Sequence, residues 1–144
     1  MSRVSIGKEV TVLARQIRQL RGQYLKDEGC IVGPAHFHVF IYIAKNEGCT
    51  GKQAAAGIGS DKTHIAKSAK KLAALGLIEI WPDETDARYK RMRLTDKGGD
   101  ELRRLEAAHM RISETLSRGM DASQIAGFMA AAGTMQRNVE ESLR

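Results

Sequence analysis

The chain has 144 residues, a usual size for one domain, with 42% apolar and 28% charged side chains. Those proportions exclude disorder over the whole chain, and two cysteines exclude a disulfide framework. A formal net charge of +6 favours an anionic partner such as nucleic acid or an acidic membrane surface.

Aromatic residues make up only 5%, so the core is expected to be aliphatic and alanine-rich. No apolar run approaches the roughly 20 residues that span a bilayer. Charges at Arg3, Lys8 and Glu9 interrupt any signal peptide. The expected setting is soluble, reducing and cytoplasmic.

Ile6, Val10, Leu13, Ile17, Leu20 and Tyr24 recur at steps of three and four, which predicts a helix over 5–27 with a heptad-like stripe. Gly29 and Gly33-Pro34 break it. A second helix is expected from Pro34 to about Asn46. Glu47-Gly48 reads as a turn and Thr50 as an N-cap for an alanine-rich helix over 51–56. Gly57-Ile58-Gly59 reads as a tight turn. Ser60 is the expected cap of the next helix, which has Asp61 in its first turn and runs to Leu75 before Gly76. Leu77–Trp81 and Tyr89–Leu94 read as the strands of a hairpin around the loop Pro82–Asp86. Thr95 or Asp96 opens a long helix striped by Leu102, Leu105, His109, Ile112 and Leu116. After Gly119, Asp121 or Ser123 opens the last helix, with Ile125, Phe128, Met129, Ala132, Met135, Val139 and Leu143 on one side.

Two helices joined by a glycine turn and followed by a basic hairpin are in the order of a winged helix-turn-helix, whose second helix enters the major groove. On a helical wheel of residues 61–75, Ile65, Ala69 and Leu72 share a face that must be buried. Thr63, Lys67, Lys70 and Lys71 lie opposite, with His64 beside them. Lysines there suit phosphates, and side chains near the helix start suit base edges. A solvated lysine face is the alternative. The hairpin adds Arg88, Lys90, Arg91 and Arg93, and Asp86 is spaced to orient the Arg88 guanidinium. A narrow minor groove attracts an arginine presented in this way.

The segment "SDKTHIAKSAKKLAALGLIEIWPDETDARYKRMRLTDKG" resembles the MarR family (multiple antibiotic resistance regulators). The resemblance rests on Asp61-Lys62-Thr63, Leu72, Gly76-Leu77-Ile78, Asp86-x-Arg88, and Leu94-Thr95 followed by Lys97-Gly98. "PAHFHVFIYIA" is similar to the family's second helix. The likeness covers most of the chain and is strongest over 60–98. Two features depart from the pattern. Ala54 stands where a leucine is usual, which predicts a loosely packed helix in "GKQAAAGIGS". Ile80-Trp81 stands where basic residues are common, which places phosphate contacts from that strand in doubt and leaves Trp81 to cover the base of the wing.

The resemblance implies one mainly α domain over 1–144 with a small β-wing. Dimerisation helices would lie at about 5–28 and 96–143, flanking a winged helix-turn-helix at about 34–95. The apolar stripes of the terminal helices allow either an intrachain bundle or a two-fold interface. The resemblance implies the interface, and hence a homodimer on an inverted-repeat operator. The implied function is sequence-specific binding of double-stranded DNA by a repressor that a ligand releases. Thr63, His64, Lys67 and Lys70 would contact the major groove, and Arg88, held by Asp86, the minor groove. Lys62, Lys71, Lys90 and Arg91 would contact phosphates. Relatives that bind small phenolic or carboxylate effectors point to Arg18, Tyr24, His38 and Tyr42 as candidate ligand residues. Ordinary surface or core roles remain open for each.

Other chemistry has little support. His36 and His38 point to different helix faces, and no metal-ligand spacing is present. There is no phosphate loop, nucleophile elbow or dinucleotide fingerprint, so neither an enzyme nor a cofactor is expected. Cys30 and Cys49 are read as inert small hydrophobes, although some relatives sense oxidants through a thiol. The alternative function is a winged-helix adaptor whose basic face meets an acidic protein. A third is a ligand-binding protein without DNA function.

Overall fold

The computed structural model describes residues 5–144; of the charges at the start of the chain, Arg3 lies outside them. The first helix, α1, spans Ile6–Asp27, with the Ser5 hydroxyl accepting from the Lys8 amide. A short 3₁₀ turn, Pro34–His36, leads into α2, Phe37–Lys45. The expected single helix from Pro34 is therefore divided. The proline ring fits the opening turn, but the α-helical ladder starts only at Phe37. Next come α3, Gly51–Ile58, and α4, Lys62–Ala74. The wing strands are β2, Ile78–Pro82, and β3, Lys90–Leu94. Two long helices close the chain, α5 over Asp96–Ser117 and α6 over Ala122–Ser142.

Several local expectations are corrected. The segment after the Glu47-Gly48 turn adds an unpredicted two-residue strand, β1, Cys49–Thr50, antiparallel to β3, giving a three-stranded sheet of order β1-β3-β2. The tight turn at Gly57–Gly59 reduces to Gly59, which takes the left-handed φ of +77° after α3 runs on to Ile58. Gly57 stays helical for another reason. A Cβ there would lie 2.3 Å from the Tyr42 ring, so the glycine admits the aromatic side chain. The small residues of α3 thus serve close packing, and Ala54 is fully buried rather than loosely held. Asp61, not Ser60, caps α4 by accepting from the His64 amide at 2.7 Å.

The core is built from Phe40 and Ile43 of α2, Ile65 and Leu72 of α4, Leu77, and Met92 of β3. Helix α5 joins it through Leu105, and its buried face follows the predicted stripe only in part. Gly98, Glu101, Leu105, Ala108 and Ile112 are buried, while His109 and Leu116 are exposed. A Cβ on Gly98 would meet the Leu77 carbonyl oxygen at 2.1 Å, so α5 approaches the start of β2 backbone to backbone. Glu101 is fully buried, and its Oε2 accepts from the amides of Ile31 and Val32, each at 2.8 Å. This carboxylate pins the segment before α2 to α5. No residue of α1 or α6 is buried within the chain.

Candidate nucleic-acid interface

Helix α4 turns Ile65, Ser68, Ala69 and Leu72 inward. That rotation leaves Lys62, Thr63, Lys67, Lys70 and Lys71 exposed, with His64 half-buried beside them. No carboxylate lies on this face. The Asp61 cap sits at its end, engaged with the helix amides. Ser68 is a core residue that the pattern of apolar side chains could not reveal. Its hydroxyl is 2.8 Å from His36 Nδ1, tying α4 to the 3₁₀ turn. His38, two residues on, is exposed with its ring edge-on to Phe37, so the two histidines do face different surroundings.

The wing is ordered by two aspartates. Asp83 accepts from the Thr85 amide and hydroxyl, the Asp86 amide, and Arg91 Nε. The Thr85 hydroxyl and then the Arg91 guanidinium hold its carboxyl well below the usual carboxylate range. Asp86 grips Arg88 in bidentate fashion, with Nε to Oδ1 at 3.0 Å and NH2 to Oδ2 at 2.8 Å, and also accepts from the Arg88 amide. The Arg88 side chain remains 86% exposed, so the guanidinium is oriented without being covered. Its contact lowers the Asp86 carboxyl and raises the guanidinium.

Lys90 is exposed at the start of β3. Arg91, expected to meet phosphate, has a different task. It bonds Asp83 at 2.5 Å and donates to the Gly48 carbonyl at 2.6 Å, joining the wing to the loop before β1. Sequence spacing gave it the right strand but could not reveal partners eight and 43 residues away. Arg93 pairs with Glu79 across the hairpin and lies 4.9 Å from the Trp81 ring centre, on the face away from α4. Trp81 is half-buried beneath it.

Between α4 and the wing is an open cleft of about 540 Å³. Lys62, Ala66 and Lys70 line it from the helix, Ile80 and Lys90 from the strands, and Lys52 from α3. The basic helix face and the presented arginine thus border one concave surface. Lys52 belongs to this surface and was not anticipated, because α3 offers no basic pattern of its own. Among the described residues, no cluster of metal-ligating side chains occurs and no helix is long and apolar enough to cross a membrane.

The four candidate ligand residues do not converge. Arg18 and His38 are exposed on α1 and α2. Tyr24 faces α5, its hydroxyl 2.7 Å from the Thr115 hydroxyl and Arg111 4.1 Å above its ring. Tyr42 lies against Gly57 of α3. A separate cavity of about 590 Å³ lies among α1, α2 and α5, lined by Arg21, Leu25, Phe37, Ile41, Lys45 and His109. None of the four lines it.

Residues 59–98 match the family model of a winged helix DNA-binding domain. The chain is 38% identical over 74 residues to the HTH-type transcriptional regulator BilQ of Clostridium symbiosum (strain WAL-14163), a match covering 51% of this chain and 50% of that protein. It therefore spans about half the length of that relative. It is 27% identical over 135 residues to the uncharacterized HTH-type transcriptional regulator YybA of Bacillus subtilis (strain 168), covering 92% and 87%. Its fold is that of a MarR transcriptional regulator from Methanosarcina mazei Go1, with a TM-score of 0.74 at 23% identity over 94% and 96% of the two chains.

Proposed function

We propose that this chain, a DNA-binding transcription regulator of the winged-helix, MarR-type fold, acts in the cytoplasm as a homodimeric repressor on an inverted-repeat operator. The observation that carries this reading is the shared surface of α4 and the wing. Helix α4 presents Thr63, Lys67, Lys70 and Lys71, and the wing presents an Arg88 already oriented by Asp86. With α4 in the major groove, the wing reaches the neighbouring minor groove, where Arg88 meets its negative potential. Lys62, Lys71 and Lys90 neutralise phosphates, and Lys52 joins them from α3.

Dimerisation is supported by what α1 and α6 leave uncovered. Ile6, Val10 and Leu13 on α1 and Ile125, Phe128, Met129 and Val139 on α6 are all exposed large apolar residues. Such faces in one chain call for a partner, and a two-fold mate supplies the same faces in return. The cavity among α1, α2 and α5 suits a small apolar effector, with Phe37 and Ile41 as walls and Arg21 and Lys45 as the cations that would meet an anionic group, Glu106 and His109 lying beside them. Because α2 packs on α4, occupancy there would shift the recognition helix and release the operator.

The test is binding of the purified protein to DNA upstream of its own gene, titrated against salt beside a scrambled duplex. Tight binding upstream, weak binding to the scrambled duplex and a steep salt slope are expected. Equal weak binding to both duplexes, and to a genomic fragment library, would overturn the regulator reading. It would favour a basic face that meets an acidic protein.

A further inference from the structure

The exposed face of α4 is not uniformly polar. From Lys62 to Lys70 the exposed residues are Lys62, Thr63, Ala66, Lys67 and Lys70. Ala66 is the apolar member of this set and stands on the wall of the open cleft, between Lys62 and Lys70 one turn to either side. Each lysine carries its charge on a flexible four-carbon stem that can swing to a phosphate. Ala66 has only a methyl group, fixed close to the helix backbone. The rest of the chain does not cover it, and it contributes nothing to the core. Helix propensity does not single it out, since lysine and arginine form helices nearly as well.

In the major groove, the base edges offer hydrogen-bonding groups and one apolar group, the C5 methyl of thymine. Alanine is one of the side chains that contact it. We propose that Ala66 reads a thymine methyl in each half-site of the operator. This rests on α4 being the major-groove helix. There Ala66 does two things at once: its small size lets α4 seat deeply while the lysines spread to the flanking phosphates, and its methyl group excludes water from the thymine methyl. The ammonium of Lys67 cannot read that methyl group, so Ala66 adds discrimination of thymine from cytosine that charge alone does not provide.

The experiment begins by selecting an operator from genomic fragments with the wild-type protein. Each thymine of one half-site is then replaced by deoxyuridine, which lacks only the methyl group. Affinities are measured by fluorescence anisotropy at one salt concentration for wild type, Ala66→Gly and Ala66→Ser. Ala66→Ser places a hydroxyl on the same Cβ and keeps the helix if glycine loosens it. At one thymine, deoxyuridine should weaken wild-type binding about fourfold, the value of one buried methyl group, and leave both variants unmoved. The proposal is overturned if no thymine responds, or if every response is the same in wild type and variants. Failure to select any operator would instead overturn the regulator reading itself.

Discussion

Replacing Glu101 by alanine removes the acceptor that holds Ile31 and Val32 against α5. In the native chain, one oxygen of the fully buried carboxylate receives both amides at 2.8 Å, that of Val32 buried and that of Ile31 partly buried. The other, Oε1, has no hydrogen-bond partner and lies 3.7 Å from Arg104 NH1. Stranding the buried Val32 amide costs about 1–3 kcal/mol, and the charge-assisted bond lost by the partly buried Ile31 amide adds about 1.5–3 kcal/mol. Removing a buried carboxylate with one unsatisfied oxygen offsets part of that loss. A net destabilisation of about 3 kcal/mol is expected, which lowers Tm by about 6–12 °C in a chain of this size. Glu101→Gln keeps a carbonyl acceptor for both amides and loses only the charge assistance, so it should cost about 1 kcal/mol. Urea melts followed by circular dichroism, at equal protein concentration because association shifts apparent stability, would measure both variants. Wild-type stability in Glu101→Ala would refute the pinning role. Equal losses in the two variants would show that the charge beside Arg104, rather than the acceptor, matters.

Arg88→Ala should weaken operator binding tenfold or more with an unchanged melt, because the side chain is exposed and bonds only within the wing tip; Asp86→Ala should weaken it less, since the arginine stays but loses its orientation. Gly98→Ala, which helix propensity would make stabilising by about 1 kcal/mol, should instead destabilise by about 1–3 kcal/mol, because its Cβ would strike the Leu77 carbonyl; a urea melt decides the sign. The Asp86 carboxyl is held down by the Arg88 guanidinium, so the wing-tip pair is fully formed above the ordinary aspartate value of about 3.9 and is lost only as pH falls through the depressed one. Wing amide resonances should therefore stay fixed from pH 7 to about pH 4 and move only below it. Burial, and next the nearby Glu101, push the Cys30 thiol up to about 11, and burial also raises Cys49. Both should resist a disulfide reagent at pH 8 in the native protein and react rapidly in urea.

Much of the basic surface of α4 and the wing was legible because it is local. The α4 face follows from a period of 3.6 residues acting on Ile65, Ala69 and Leu72. The wing follows from Asp86 and Arg88 being two residues apart, a spacing at which the side chains meet whatever the fold. The helix start at Thr50 was legible for the same reason, and Thr95 and Asp121 were each one of two candidates, since each side chain accepts from an amide three residues on. The site residues that eluded pattern reading depend on distant partners. Arg91 has the composition of a phosphate contact, yet its bonds run to Asp83 and Gly48. Lys52 lies at the cleft only because α3 packs on α4.

The sequence by itself determined the order of elements, the ends of most helices and the basic surface, because capping, helical periodicity and turn preferences act over a few residues. Only the tertiary structure decided which face of α5 is buried. An apolar count favours Leu102, Leu105, His109, Ile112 and Leu116; Leu105 and Ile112 do turn inward, but the close approach at Gly98 and the Glu101 carboxylate bring Glu101 and Ala108 in beside them and leave His109 and Leu116 exposed. It likewise decided that Tyr24 and Tyr42 face α5 and α3 rather than one cleft, and that the cavity among α1, α2 and α5 lies elsewhere. Periodicity tells which residues share a face, whereas the element that face meets depends on contacts made across the chain.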